Sequence, residues 1–159
     1  METELKSADL QTIRQEIANL NNDFCYYLDR GMVDELVNLF CEDALYAHGQ
    51  RTSNGRAEVK QLFEGRRGAK NRTTRHFQSG LRIQVTDSAH ASGQSVCLTF
   101  GANAPPPVSP ATPYLVADFN DEYKLCADGR WRIRSRHIER IFVAEDNRGP
   151  EEPHQKVRI

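Results

Sequence analysis

The order of two hydrophobic patterns along the chain limits its fold more than any other feature of the sequence. In the first half, apolar residues recur every three or four positions, which predicts amphipathic helices. From Thr73 onward, alternating and β-branched residues predict long strands near 74–86, 92–102, 112–125 and 131–143. Because the helices precede the strands instead of alternating with them, the pattern favours an α+β domain with helices on one face of an antiparallel sheet.

The first half contains three predicted helices and one short predicted strand. The longest helix has apolar residues from Leu10 to Leu28 and ends at Gly31, a residue suited to the left-handed cap conformation. A shorter helix is expected over residues 33–40 and a brief strand over 45–48. A third helix is expected to follow the turn that the next Asn-Gly pair predicts.

The length and composition bound the size and class of the protein. With 159 residues, 38% of them hydrophobic, the chain can form one domain with a sizeable core, which we place at residues 1–145. Residues 146–159, rich in proline and charge, are expected to form a loosely ordered tail. Lysine and arginine number 21 against 22 aspartates and glutamates, so the basic excess typical of nucleic-acid-binding proteins is missing.

The sequence gives no sign of membrane insertion or export. No apolar stretch approaches the roughly 18 residues of a membrane span, and the polar first four residues resemble neither a signal peptide nor a transit peptide. We therefore expect a cytoplasmic protein. The cysteines are far apart and form no Cys-x-x-Cys pair, so we expect buried thiols and no metal site. These cysteines are Cys25, Cys41, Cys97 and Cys126.

Asp29 and His76 are the two residues best placed for proton transfer. Asp29 falls at the end of the first predicted helix, and His76 lies near the start of the first long strand. A carboxylate that holds one imidazole nitrogen fixes the tautomer, so the other nitrogen can accept a proton near neutral pH. Spacing alone leaves a second interpretation open, because a helix-end aspartate is commonly a cap and a strand histidine is commonly exposed.

Several short motifs, taken in their order along the chain, resemble one superfamily. They are Tyr-Tyr-Leu-Asp at 26–29, Asp34-Glu35-Leu36, Asp43-Ala44, Gly55-Arg56, Thr-Arg-His-Phe at 74–77, Gly129-x-Trp131-Arg132-Ile133 and Arg136. Over residues 8–143 the chain is similar to the nuclear transport factor two-like superfamily, and within it to the SnoaL-like polyketide-cyclase and scytalone-dehydratase branch. The resemblance implies a cone-shaped α+β barrel, in which a strongly curved antiparallel sheet wraps around N-terminal helices and encloses a hydrophobic pocket.

The resemblance also implies an activity. In the dehydratases and the dehydrochlorinase of this superfamily, a helix-end aspartate and a histidine on the first long strand form the catalytic pair, and these positions match Asp29 and His76. Such enzymes eliminate water or halide without a metal or an organic cofactor. We therefore expect a cofactor-free, metal-independent, dehydratase-like lyase that acts on a small hydrophobic aromatic or alicyclic oxygenated metabolite, with His76 as the base.

The same resemblance supplies substrate-binding candidates and shows one departure. Scytalone dehydratase has a second catalytic histidine on the following strand, and the matching residues 96–100 contain none. The group that assists the departing hydroxyl is left open between Tyr46 and His48. Asp118 either lines the pocket, faces water or forms a cross-strand ion pair with an arginine. The substrate-binding candidates are Tyr27, Tyr46, His48, Phe100, Tyr114 and Asp118.

The arginines form two further patterns. Alternation with bulky residues near the end of the chain favours a solvated sheet face for Arg132, Arg134 and Arg136. A second basic cluster is a candidate rim for substrate entry: Arg66, Arg67, Lys70 and Arg72.

Two other functional classes remain open from the sequence. The Thr-Arg-His strand and the Trp-x-Ile-x-x-Arg ending also resemble the non-catalytic small subunits of aromatic-ring-hydroxylating dioxygenases. A binding-only module with the same pocket is the other alternative, and isomerase or carbon–carbon lyase chemistry would begin with the same proton abstraction. A broad outer sheet face is expected to pair with further copies, as a homo-dimer or a homo-trimer.

Overall fold

The computed structural model describes residues 6–67 and 71–144. The tail expected at 146–159 and Lys70 of the basic cluster lie outside the described residues. None of the helices in the described part of the chain is sufficiently long and apolar to cross a membrane. The elements are α1 (Ser7–Arg30), α2 (Val33–Val37), β1 (Phe40–His48), β2 (Arg51–Asn54), α3 (Gly55–Arg67), β3 (Thr73–Val85), β4 (His90–Ala102), β5 (Pro113–Leu125) and β6 (Trp131–Val143).

The six strands form one curved, mixed sheet in the order β2-β1-β6-β5-β4-β3. Helices packed on one face of this sheet confirm the α+β class predicted from the sequence. The four long strands pair antiparallel, as expected, whereas β1 runs parallel to β6. The fully antiparallel sheet is therefore corrected to a mixed one. The parallel pair arises because β1 and β6 are joined through the rest of the sheet and not by a hairpin.

The second helix is shorter than predicted, and β1 begins earlier. α2 ends at Val37, and Phe40 already pairs with Ile133 of β6. The guanidinium of Arg56, in the first turn of α3, donates two hydrogen bonds to the carbonyl of Phe40, at 3.0 and 2.6 Å. This link fixes the start of β1 against α3, so the apolar residues near position 40 belong to the sheet.

α1 carries the side chains that fill the concave side of the sheet. Ile13, Ile17, Leu20 and Phe24 are buried along one face of this helix. Gly31, at φ 65°, ends the helix in the left-handed conformation, and the amide of the next residue returns to a carbonyl in the last turn. This cap ends α1 immediately after the turn that carries Asp29, and it places that turn beside the start of β3.

The pairing register of β5 and β6 shifts between Glu122 and Tyr123, where β6 carries one extra residue. Beyond such a β-bulge, side chains face the side opposite to the one that simple alternation predicts. Arg136 therefore lies opposite Asp121 with its side chain fully buried. This corrects the solvated position predicted for Arg136, whereas the other two arginines of that series remain partly exposed.

Arg136 and Asp121 are the centre of a buried polar network. The guanidinium donates from Nε to Oδ1 and from Nη2 to Oδ2 of Asp121, each at 2.8 Å. The Tyr123 hydroxyl donates to Oδ2 of Asp121 at 2.7 Å and accepts from Nδ2 of Asn21 at 2.9 Å. Gln78 donates from Nε2 to Oδ1 of Asn21 at 2.9 Å. The network thus joins α1 to three strands of the sheet.

The guanidinium of Arg136 also lies between two aromatic rings. Its central carbon is 4.3 Å from the ring centre of Phe24 and 4.7 Å from that of Phe119. Burial disfavours the charged guanidinium, but the charge and hydrogen bonds of Asp121 outweigh this penalty and hold the pKa of Arg136 above its ordinary value. The charged pair of Arg136 and Asp121 therefore supports the rings of Phe24 and Phe119 through packing contacts with the guanidinium.

The outer, convex face of the sheet carries a row of apolar side chains. The pairing register places one residue from each of four adjacent strands in this row: Phe77, Leu98, Val116 and Phe142. Phe77 is 56% exposed and Phe142 is 69% exposed. We call these four residues the apolar row.

Candidate active site

A cavity opens between the last turns of α1 and α3 and the concave side of the sheet. Its volume is about 30 Å³, enough for about two water molecules. Its buried floor consists of Phe24, Tyr46, Thr99, Leu115, Ala117, Phe119 and Ile138, and its half-buried open side of Leu28, His48, Arg66, His76 and Tyr114. A ring-sized ligand therefore enters by displacing side chains on the open side.

Asp29 and His76 meet at this cavity through three hydrogen bonds to one carboxylate. Nδ1 of His76 lies 2.6 Å from Oδ1 of Asp29, and the backbone amide of His76 donates to Oδ2 at 2.9 Å. The Thr74 hydroxyl donates to Oδ1 at 2.9 Å. The Asp29 side chain is 5% exposed. Two donors from β3 besides the imidazole thus fix the orientation of a buried carboxylate.

The hydrogen bonds of His76 determine which of its ring nitrogens can act as a base. Because a carboxylate only accepts, the Nδ1 contact requires a proton on Nδ1, and the neutral ring then has its lone pair on Nε2. Among residues 6–67 and 71–144, Nε2 has no hydrogen-bond partner. The ring lines the cavity. This arrangement can accept a proton from a ligand and stabilise the resulting imidazolium with Asp29.

His48 is held neutral on the open side of the same cavity. Burial, together with the charges of Arg66, Arg140 and Arg51, lowers the pKa of His48 to about 4. Arg140 donates from Nε to Nε2 of His48 at 3.4 Å, which leaves the proton of the neutral ring on Nδ1. Near neutral pH, His48 is therefore an uncharged hydrogen-bonding group.

Tyr46 places a phenol in the buried floor. Its ring packs edge-on against Phe63 at 5.4 Å and against Phe40 at 6.0 Å between ring centres. Burial raises the pKa of Tyr46, while the charges of Arg66 and Arg136 act in the opposite direction. The hydroxyl therefore stays protonated near neutral pH and is available as a donor.

A family model described as a SnoaL-like domain matches residues 11–137. The chain belongs to the SnoaL-like domain family. This membership confirms the resemblance to the nuclear transport factor two-like superfamily that the order of motifs indicated. Comparison with curated protein sequences finds no match.

Solved structures share the fold of this SnoaL-like chain at low sequence identity. A putative scytalone dehydratase from Novosphingobium aromaticivorans is 22% identical, with a TM-score of 0.78 over 96% of this chain and all (100%) of that one. A hexachlorocyclohexane dehydrochlorinase is 19% identical, with a TM-score of 0.73 over 91% and 98% of the two chains. A protein of unknown function with a cystatin-like fold from Nostoc punctiforme is 22% identical, with a TM-score of 0.70 over 89% of this chain and 96% of that one. These identities show the shared fold alone.

Three of the six substrate-binding candidates lie in the cavity lining of the SnoaL-like domain, namely Tyr46, His48 and Tyr114. Tyr114 lies across Gly101, where a side-chain carbon would approach the tyrosine ring to 3.2 Å. Gly101 thus leaves room for the ring at the open side of the cavity.

The other three candidates are not among the lining residues, and for Asp118 this agrees with the outward-facing alternative that the sequence left open. On β4, Thr99 faces the cavity, and Phe100 instead packs against Phe77 of the outer face at 6.0 Å. On β5, Asp118 lies between two lining residues in sequence, so pleating turns it outward. Tyr27 is half-buried against the hydrophobic core and packs edge-on against Tyr26, at 5.8 Å between ring centres.

The sequence alone did not indicate most of the polar residues that surround the cavity. Arg66 was predicted only as part of a basic cluster. The side chain of Arg67, from the same cluster, lies outside the described part of the chain. Among the described residues, no three His, Cys, Asp or Glu side chains are grouped in a way that could hold a metal ion.

Proposed function

We propose that this SnoaL-like protein is a small-molecule lyase of the elimination type that needs neither metal nor organic cofactor, with Asp29 and His76 as a catalytic dyad. The observation that carries the proposal is the Nε2 of His76, which has no hydrogen-bond partner among the described residues, in a ring that lines the cavity while a buried carboxylate holds Nδ1 at 2.6 Å. The dehydratase and dehydrochlorinase among the structural neighbours support the same reaction class. The aromatic floor favours a small hydrophobic aromatic or alicyclic oxygenated substrate.

The proposed elimination uses the lining residues in a defined order. Nε2 of His76 takes a proton from a carbon of the substrate, and the electron pair of that C–H bond forms the new C=C bond. The leaving oxygen departs with its own electron pair and receives a proton from the Tyr46 hydroxyl or from the Nδ1–H of His48. While His76 carries the abstracted proton, the carboxylate of Asp29 stabilises its imidazolium. An isomerase begins with the same proton abstraction and returns the proton to another atom of the substrate.

The test of this proposal measures proton abstraction directly. Aryl-substituted and cyclic β-hydroxy ketones are incubated with the protein in D₂O, and proton NMR follows deuterium uptake at carbon and formation of the enone. His76→Gln is expected to slow both by at least about 100-fold, because it removes the base. His90→Gln is the matched control, since His90 also contacts an aspartate, Asp87, at 3.0 Å but is 57% exposed on the surface. Equal rates in His76→Gln and the wild type would contradict the proposal, as would the absence of deuterium uptake from every ketone.

The apolar row supports the proposal that the protein forms a homo-oligomer through the outer sheet face. Exposed apolar patches of this kind commonly mark interfaces. Next to the row, Asp118 and Glu139 lie directly opposite each other, and no cation among the described residues pairs with either. Arg75 is exposed beside the opposite end of the row. A second copy can therefore cover the row and bring its arginine to the two carboxylates.

Replacing Phe77 with glutamate is expected to shift the dimer or trimer toward monomers, because a charge would be buried in the contact. Sedimentation velocity measures the change. Val108→Glu, a substitution at an exposed valine of a loop, is the control and should leave the assembly unchanged. A monomeric wild type, or an assembly that is unaffected by Phe77→Glu, would rule out this face as the contact.

A further inference from the structure

Arg66 is the one cationic lining residue for which the described part of the chain offers no carboxylate. His76 has Asp29 as its partner, and His48 is neutral near neutral pH. Arg66 lies close enough to Tyr46 for its charge to act on the pKa of that phenol, and its guanidinium carbon lies 5.4 Å from the ring centre of Phe63. Both contacts leave its positive charge uncompensated at the open side of the cavity.

Two further arginines lie close to His48 on the same side of the cavity. Arg140 lies against His48, and the charge of Arg51 reaches the same imidazole. No aspartate or glutamate is among the residues that line the cavity, and the carboxylate of Asp29, behind the imidazole of His76, already accepts three hydrogen bonds. A ligand with a negatively charged group would therefore gain electrostatic attraction on entering, whereas a neutral ligand would gain none.

We propose that the substrate carries a carboxylate and that Arg66 binds it. This inference rests on the proposed function, since it names the substrate class of the same site. An arginine presents parallel N–H groups that match the two oxygens of a carboxylate. With its carboxylate at Arg66, the substrate places its apolar part over Phe24 and Phe119 and its reacting carbon toward Nε2 of His76.

The geometry of α3 allows Arg66 to take this role. Arg66 lies one residue before the end of α3 and is half-buried, so its side chain can turn toward an entering anion. The same movement widens a cavity that holds only about two water molecules.

The alternative is a purely structural role, in which Arg66 only supports Tyr46 and Phe63. The two roles differ in their effect on ligand charge. A structural role predicts that removing Arg66 changes the shape of the cavity and therefore weakens the binding of neutral and anionic ligands equally. A carboxylate-binding role predicts a loss confined to anionic ligands. The test therefore compares two ligands of nearly the same shape.

The experiment measures the dissociation constants of benzoate and of its neutral analogue benzamide by ligand-observed NMR at neutral pH. The wild type is expected to bind benzoate at least about tenfold more tightly, because a charge-assisted contact replaces a neutral one. Arg66→Gln should remove this preference while leaving benzamide binding unchanged, and Arg66→Lys should retain part of it. Arg82→Gln, the same change at an exposed arginine of β3, is the control for net charge.

Three outcomes would overturn the proposal: no saturable binding of benzoate, equal affinity for the two ligands, or a preference that survives Arg66→Gln. Binding and turnover are kept apart by His76→Gln, which should retain the preference for benzoate. If the preference is present and no elimination is found, the proposed function fails and the anion site stands. If neutral ketones are dehydrated and benzoate is not preferred, the anion site fails and the proposed function stands.

Discussion

Asp29→Asn is expected to reduce kcat/KM by a factor on the order of 10⁴, with little change in the fold. The reason is the orientation that β3 imposes on the new amide. The backbone N–H of His76 can only donate, so the amide oxygen must take the position of Oδ2, which now accepts this bond at 2.9 Å. The amide NH₂ then faces Nδ1 of His76 and donates to it.

This reversal changes the tautomer of His76. With Nδ1 accepting, the proton of the neutral ring moves to Nε2, and the lone pair that faces the cavity is lost. The imidazolium formed during a reaction would also lose its carboxylate. Long-range ¹H–¹⁵N NMR of the imidazole measures the change, because protonated and unprotonated ring nitrogens have distinct shifts. The wild type should show an unprotonated Nε2, and the variant an unprotonated Nδ1.

The chain offers a matched control for this substitution. Asp87 also contacts a histidine, His90, and accepts backbone amides, but both side chains are more than half exposed. Asp87→Asn is therefore expected to leave kcat/KM unchanged. The catalytic role of Asp29 is contradicted if Asp29→Asn keeps its rate within about tenfold of the wild type while the tautomer is reversed.

Local patterns predicted the long elements of this fold closely. The strand predicted near 131–143 coincides with β6, and that predicted near 112–125 differs from β5 by one residue. Each of these segments is long enough for its periodicity to be unambiguous. The four residues of β2 carry no such pattern, and β1 was assigned only from position 45, because its first residues continue an apolar run that also suits a helix.

The site was predicted less completely because its contacts are distant in sequence. Placing Asp29 beside His76 required the resemblance to a family, since 47 positions separate them. The inward position of Arg136 depends on one extra residue in β6, and nothing in the local sequence marks that bulge. Asn21, 115 positions from Arg136, gave no signal of its own within a helical pattern.

Asp121→Asn is expected to lower the free energy of unfolding by about 3–5 kcal/mol, because it leaves the buried cation of Arg136 without its counter-charge. Both side chains are 0% exposed. The amide can accept from Nε of Arg136, but its NH₂ then faces the donors Nη2 of Arg136 and the Tyr123 hydroxyl. Thermal and urea unfolding measure the effect, and a fall in Tm of about 10 °C is expected for a chain of this size.

An ion pair on the surface of the same protein allows the effect of burial on stability to be measured separately from the effect of pairing. Arg132 and Asp128 form an equally short bidentate contact, with both bonds at 2.7 Å, but the aspartate is 52% exposed. Asp128→Asn should therefore change stability far less, since water replaces the lost charge. Combining Asp121→Asn with Arg136→Gln should cost less than the sum of the single changes, because the double variant buries no unpaired charge. Additive losses, or equal losses for the buried and the exposed aspartate, would contradict a coupled pair of Arg136 and Asp121 shielded from water.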